Sequence, residues 1–159
     1  MSAAHPWHIR PATDDDRAFL GQLAARLTIG RAAWLDGAAM EAAMRRFLLD
    51  DLTAMQQGKE AIALVATAPD SGDPVGAVMV SRSIHFTGEP QAYLGELAVI
   101  AQAEGQGVGA ALLAAAEAWA REHGARFVVL ETGIANSHAR AFYAQHGYGE
   151  ENVKLTKVL

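Results

Sequence analysis

Three glycines at alternate positions, Gly105, Gly107 and Gly109, stand between an apolar run from Tyr93 to Ile100 and an alanine-rich segment from Gly107 to His123. The apolar run has strand length. In the segment after it, Val108, Leu112, Ala116 and Trp119 recur at helical spacing, and Gly124 is placed to stop the helix. This part of the chain is therefore committed to a strand, a turn open to unusual backbone angles, and a long helix. Alternating glycines let backbone approach a ligand closely, and a helix N-terminus presents unpaired N–H groups. The stretch suits a phosphate or pyrophosphate; a plain flexible loop is the simpler alternative. Two other phosphate loops fit less well. The dinucleotide fingerprint needs G-x-G-x-x-G soon after a first strand, and a Walker loop needs Gly-Lys-Ser/Thr, which is absent.

The rest of the chain alternates between the two periodicities. His8–Ala12 reads as a short edge strand, since Pro11 cannot donate to a ladder, with residues 1–7 as a lead-in. Thr13 can cap a helix, with Asp16 at the capping-box position and Phe19, Leu20, Leu23 and Leu27 as its buried stripe. Residues 28–38 are irregular. A second helix carries Met40, Met44, Phe47, Leu48, Leu52 and Met55 on one side and ends at Gly58. Residues 61–67 and 75–86 read as a hairpin across the Pro/Asp/Gly turn at 69–74. Residues 93–100 and 127–132 are further strands. Asn136 or Ser137 caps a helix to about His146, stopped by Gly147, and Lys154–Leu159 reads as a final strand. The order β α α β β β α β α β describes one α/β (α+β) domain over residues 8–159.

Composition narrows the functions such a domain can carry. Hydrophobic residues make up 51% of 159, but 34 of them are alanine. The larger apolar residues still exceed what a disordered chain carries. The net charge of −5 argues against nonspecific nucleic-acid binding, without excluding an anion held by backbone amides. The absence of cysteine rules out disulfides, thiolate metal sites and a cysteine nucleophile. His138 and His146 lack partners at ligand spacing, so no metal is assigned. No apolar run reaches the roughly 20 residues that span a bilayer, and residues 1–8 lack signal-peptide character. A cytoplasmic protein without membrane partners is expected; a homodimer is compatible with the chain.

A second stretch, Glu131 to Tyr148, places Asn136, Ala139 and Tyr143 at helical spacing before Gly147-Tyr148. Together with the glycine loop and the element order, it resembles the GNAT family of acetyl-coenzyme A-dependent acetyltransferases. Gly107-Val108-Gly109 fits the glycine part of that family's R/Q-x-x-G-x-G/A pyrophosphate loop. Asn136, Ala139, Tyr143, Gly147 and Tyr148 match its N-x-x-A-x-x-x-Y-x-x-x-G-F/Y pattern. The resemblance covers the chain from His8 onward. It implies a mixed, mostly antiparallel sheet of six to seven strands flanked by about four helices.

The resemblance also implies direct acetyl transfer from acetyl-coenzyme A, as cosubstrate, to a primary amine of a small molecule or peptide. Backbone of Leu97, Ala98 and Val99 would bind the pantetheine arm and supply an oxyanion donor. Glu104, Gly105, Gln106, Gly107, Val108, Gly109 and Ala110 would form the pyrophosphate loop. Asn136 would contact the pantetheine or position its helix, and Tyr143 would be the general acid near the sulfur. An amine with a pKa near 10 needs a base. Glu96 is the first candidate, facing away from Leu97 by the period of two, and His85 is its rival. Trp34, His85, Phe86 and Glu131 are candidate acceptor contacts, from residues 28–40, the 84–92 loop and the neighbouring strand; Asp36 and Glu89 lie in the same two segments. A GNAT fold that binds acyl-coenzyme A without turnover is the alternative reading, and an interaction subunit is a third.

The loop departs from the family pattern in three places. Glu104 stands where Arg or Gln is usual, Ala110 where a basic residue is frequent, and Ala101 where proline often stands. Glu104 beside a pyrophosphate is expected to weaken the complex slightly, and Glu104→Arg to tighten it.

Overall fold

In the computed structural model, which describes residues 6–57 and 60–159, the chain builds β1 (His8–Pro11), α1 (Arg17–Leu23), α2 (Gly37–Gln56), β2 (Ala61–Thr67), β3 (Pro74–Ile84), β4 (Pro90–Val99), α3 (Val108–Glu122), β5 (Phe127–Leu130) and α4 (Ser137–Gln145). The Thr13 capping box forms: the Thr13 N–H donates to Asp16 Oδ2 at 2.8 Å. Arg10 donates to both oxygens of that buried carboxylate, at 2.7 and 2.9 Å, fastening β1 to the start of α1. A 3-10 segment, Ala24–Thr28, prolongs α1. Asp36 caps α2 by accepting from the Ala39 N–H at 2.7 Å. Gly58, expected to end α2, and residues 1–5 of the lead-in lie outside the described residues.

The strands form one sheet in the order β1-β2-β3-β4-β5. The first three pairings are antiparallel and β4 pairs β5 in parallel, the connection running through α3. Alternation along the strands sorts the core into two layers. Val78, Val80, Ala92 and Leu94 pack beneath Val108, Leu112, Leu113 and Ala116 of α3. On the other face Ala63, Val65, Ala77 and Met79 pack against Leu20, Leu23, Leu48 and Leu52 of α1 and α2. The small residues of α3 bring it close to the sheet. At Gly76 an added Cβ would stand 3.0 Å from both the Ala98 carbonyl and Leu112 Cδ1.

The mixed, mostly antiparallel sheet and the four α-helices follow the expectation; the strand count does not. The described residues hold five strands, fewer than the expected six to seven. Lys154–Leu159 is not a strand: residues 149–159 join no ladder, and Val153 and Leu155 are 79% and 89% exposed. Their alternating pattern reads as a strand, yet a strand is held by a partner and a buried face, and this segment has neither.

Leu112 is fully buried where α3 meets β3 and β4. Leu112→Ala is expected to lower unfolding stability by about 2–5 kcal/mol, read as a shift in denaturation midpoint with unchanged slope.

Candidate active site

The β4–β5 ladder pairs Gln91 with Phe127 through Leu94 with Leu130 and goes no further. At that point β4 takes an extra residue: Met79 faces Glu96 and Val80 faces Leu94, so Gly95 is a bulge. Beyond it the backbone of β4 has β3 on one side only. The Ile100 N–H donates to the Val75 carbonyl at 2.9 Å. Since backbone groups alternate sides along an antiparallel ladder, Glu96 and Ala98 direct theirs to β3, and Leu97 and Val99 direct theirs into the gap left by β5. The resulting wedge-shaped opening runs towards the glycine loop.

The bulge also decides which side chains share a face. Leu94 and Leu97 both pack on the α3 layer although three residues apart. Tyr93 and Glu96 correspondingly lie together on the α2 face. Glu96 is half-buried, and its Oε2 is buried without a hydrogen-bond partner. Burial, reinforced by the charge of Asp51 on α2, pushes its carboxyl up to about 7. Tyr93 is raised by burial and then by the charges of Glu131 and Glu96, which places Glu131 at the same spot.

Helix α4 closes the other side. An added Cβ on Gly109, at the start of α3, would touch the Phe142 ring at 3.5 Å and Leu97 at 3.9 Å, so α3, β4 and α4 converge there. Tyr143 is half-buried, edge-on to Phe142 and Tyr148 with centroids 5.2 and 5.6 Å away, and burial raises its phenol above the usual range. Asn136, not Ser137, caps α4, accepting from the Ala139 N–H at 3.1 Å. Its Nδ2 donates to the Ile29 carbonyl at 3.3 Å. Gly30 and Gly133 meet at the same crossing: a Cβ on Gly30 would fall 2.5 Å from Asn136, and one on Gly133 2.5 Å from the Gly30 carbonyl. Asn136 thus ties the segment after α1 across the opening to the start of α4.

In the glycine loop, Gly105 and Gly107 take positive φ, 72° and 82°, and Gly107 is the N-cap of α3. The Val108 side chain is buried in the core, leaving the backbone of 105–110 as the loop's exposed chemistry. Gln106 is held from both sides: its carbonyl accepts from Trp7 Nε1 at 3.0 Å, and its side chain donates to the Gln102 carbonyl. Glu104 is not a lone carboxylate. It is ion-paired to Arg26, whose Nε donates to the Val99 carbonyl at 3.3 Å.

The structure therefore sets the Leu97 and Val99 backbone, the 104–110 loop and the start of α4 about one opening; Tyr143 lies on α4 beside Phe142, and Glu96 lies with Tyr93 and Glu131 on the α2 side of β4. It does not bring His85 there. His85 stands beyond the end of β3, roughly 20 Å of strand rise from Met79, the partner of Glu96. Its Nδ1 lies 2.7 Å from Thr87 Oγ1. Phe86 is 92% exposed beside it, and Trp34 is 57% exposed in a turn before α2. Asp36 is occupied as a cap and Glu89 pairs with Arg126 at 2.8 Å. Sequence reasoning missed Arg26, Asp51 and Tyr93. A glycine inside β4 was a signal for the bulge that aligns Tyr93 with Glu96; the long-range contacts of Arg26 and Asp51 left no local signal. Among the described residues, no group of three or more His, Asp or Glu could hold a metal ion, and no helix is long and apolar enough to cross a membrane.

Comparison with known proteins gives this opening a family. Residues 29–148 match the model of the acetyltransferase (GNAT) family, and the chain belongs to that family. Among curated relatives, it is 35% identical over 94 residues to an aminoalkylphosphonate N-acetyltransferase of Salmonella typhimurium, covering 56% of this chain and 58% of the relative. It is 31% identical over 101 residues to the uncharacterized N-acetyltransferase YhfO of Bacillus subtilis, covering 63% and 66%. The chain thus spans little more than half the length of the Salmonella relative. The fold is similar to that of the PaiA N-acetyltransferase from Thermoplasma acidophilum, solved in complex with coenzyme A (TM-score 0.77, 20% identity, 93% of this chain and 92% of that one). A GCN5-related N-acetyltransferase from Ralstonia eutropha is also similar (TM-score 0.74, 23% identity, 96% and 98%).

The buried Glu96 carries a stability consequence. Its carboxyl is raised in the fold, so the folded state holds the proton more tightly than the unfolded chain does. That contribution is complete at acid pH and is lost as pH rises through about 7. Glu96→Gln keeps the shape and removes the ionisation. The variant is expected to be more stable than the parent at pH 8, by about 1–3 kcal/mol, with the gap closing towards pH 5. Thermal melts across that range test it.

Proposed function

We propose that the chain moves an acetyl group from acetyl-coenzyme A directly to an amine of a small molecule or peptide. The observation that carries this reading is the opening between β4 and β5, with the Leu97 and Val99 backbone facing into it and the Gly105–Gly109 loop at one end. The donor's residues fit. Free backbone groups of a strand suit an amide-bearing arm, and N–H groups at the start of α3 suit its diphosphate. The bound thioester supplies the activated acetyl group.

The remaining chemistry falls to side chains and backbone of this protein. Glu96, at about 7, is a base strong enough to take a proton from an ammonium group and ionised in a useful fraction at neutral pH. The N–H of Leu97 or Val99 faces the opening and can donate to a developing oxyanion. Tyr143, held protonated by burial, can donate its phenolic proton to the departing thiolate. Asn136 and the Gly30–Gly133 crossing fix the start of α4, the helix that carries Tyr143, against the segment after α1. Glu96 and Glu131 place acidic charge beside Tyr93, and Asp51 adds to it beside Glu96, which favours an amine arriving as a cation.

Thiol release from acetyl-coenzyme A over a panel of amines tests this reading. With a productive amine, kcat/KM is expected to fall below about pH 7 as Glu96 takes up a proton. Glu96→Gln should abolish that limb. Tyr143→Phe keeps the ring and is expected to lower kcat by about 10²–10⁴-fold while changing donor affinity little. A donor-induced rise in melting temperature without turnover of any amine would overturn the catalytic reading in favour of a binding module.

A further inference from the structure

The loop that receives the diphosphate in this reading carries no cation of its own. From Ile100 to Ala120 the sequence contains no Arg or Lys, and its charged residues there are Glu104 and Glu117. Such a ligand brings several negative charges to a chain of net charge −5. Backbone amides and a helix N-terminus offset part of that charge. The structure brings a guanidinium to the same place from a distant part of the chain, where it offsets the Glu104 charge and adds directed donors. Arg26 lies in the 3-10 segment after α1, 78 residues before Glu104, and reaches across to pair with it. Its Nε donates to the Val99 carbonyl, one of the backbone groups that face the opening. The guanidinium therefore sits inside the opening, at the end nearest the glycine loop. A guanidinium carries five N–H donors in a planar fork, and the bonds to Val99 and Glu104 leave donors for a phosphate.

We propose that Arg26 is the phosphate-binding cation of this site and that Glu104 is the residue that positions it. The inference rests on the donor reading above. It reverses the meaning of Glu104. The carboxylate does not stand in place of the loop's cation; it fixes a cation delivered from the other side. Glu104→Arg would then set two guanidinium groups against each other and push Arg26 out of place, so it should weaken the complex, not tighten it. Exchanging both residues, Arg26→Glu with Glu104→Arg, restores one pair with its cation on the loop.

Calorimetric titration of coenzyme A, and separately of pantetheine, which lacks the phosphates, tests the proposal without reference to turnover. Arg26→Gln is expected to weaken coenzyme A by about ten- to a hundredfold at low ionic strength, with a smaller loss at high salt. Pantetheine affinity should stay the same, and Arg26→Lys should recover part of the loss. Glu104→Arg should weaken coenzyme A, and the double exchange should return to within about threefold of the parent. In turnover with a productive amine, the losses should appear in the KM for acetyl-coenzyme A, with kcat retained. Equal losses for coenzyme A and pantetheine would make Arg26 a packing residue and overturn the proposal. So would a Glu104→Arg protein that binds more tightly than the parent, or an unchanged Arg26→Gln. A parent protein that binds no coenzyme A would instead bring down the donor reading, and this inference with it.

Discussion

Everything that is chemically distinctive about this domain follows from one break in hydrogen bonding. A central strand normally satisfies its backbone on both sides; β4 does so only up to Leu94. The Gly95 bulge turns the strand at that point, and β5 stops pairing with it. Unpaired backbone groups in a partly buried place cost about 1–3 kcal/mol each when nothing meets them. Part of that cost is met within the chain, where Arg26 donates to Val99. The rest is left to water or a ligand. The domain can carry such a gap because β1, β2 and β3 continue the sheet on the far side of β4 and both of its faces are covered by helices. The flanks of the gap are pinned by the Asn136 bond to Ile29 and by the Arg26–Glu104 pair.

Glu96 shows the same compromise in a side chain. A carboxylate whose Oε2 is buried without a partner is a poor stabiliser, and Asp51 across the layer makes its ionisation harder still. Neutral glutamine would fill the same space at lower cost. What the glutamate offers is a proton acceptor poised near neutrality, which an exposed carboxylate does not provide. Its placement depends on the bulge: with regular alternation, Tyr93 and Glu96 would fall on opposite faces and the acidic group around Tyr93 would not form.

The features legible in the sequence were those whose cause is local. The Thr13 capping box, the cap of α4, the turn at Gly105–Gly109 and the buried stripe of α3 each depend on residues within a few positions of one another, and each forms, with Asn136 rather than Ser137 as the cap and Trp119 only partly buried. The orientation of Glu96 away from Leu97 was also readable, since period-two alternation holds from Glu96 to Val99. The final strand was misread for a related reason. The pattern of Val153 and Leu155 is a strand pattern, but a strand is made by its partner, and the partner is not a property of the segment. The rivalry between Glu96 and His85 likewise could not be decided from spacing. It took the register, with Met79 opposite Glu96, to show how far along β3 His85 lies.

Charge at the glycine loop makes the same point in electrostatic terms. Read along the chain, Glu104 is a misplaced negative charge next to a site for anions. Read through space, it is half of an ion pair whose other half comes from residue 26. The field a ligand meets is the sum over everything within a Debye length, about 10 Å at moderate salt, so a single letter in a motif does not determine its sign. Glu104 is exposed and Arg26 less so, and what holds the guanidinium in place is its second bond, to the Val99 carbonyl. A pair that joins the segment after α1 to the loop after β4 has a further property that a loop arginine lacks. Arg26 also bonds Val99, so the position of its charge is coupled to the packing of the segment after α1 against β4. Through Ile29 and Asn136 that same segment reaches α4, which carries Tyr143. The charge beside the glycine loop and the start of the helix that carries the phenol are therefore both tied to one short stretch of chain, residues 26–30.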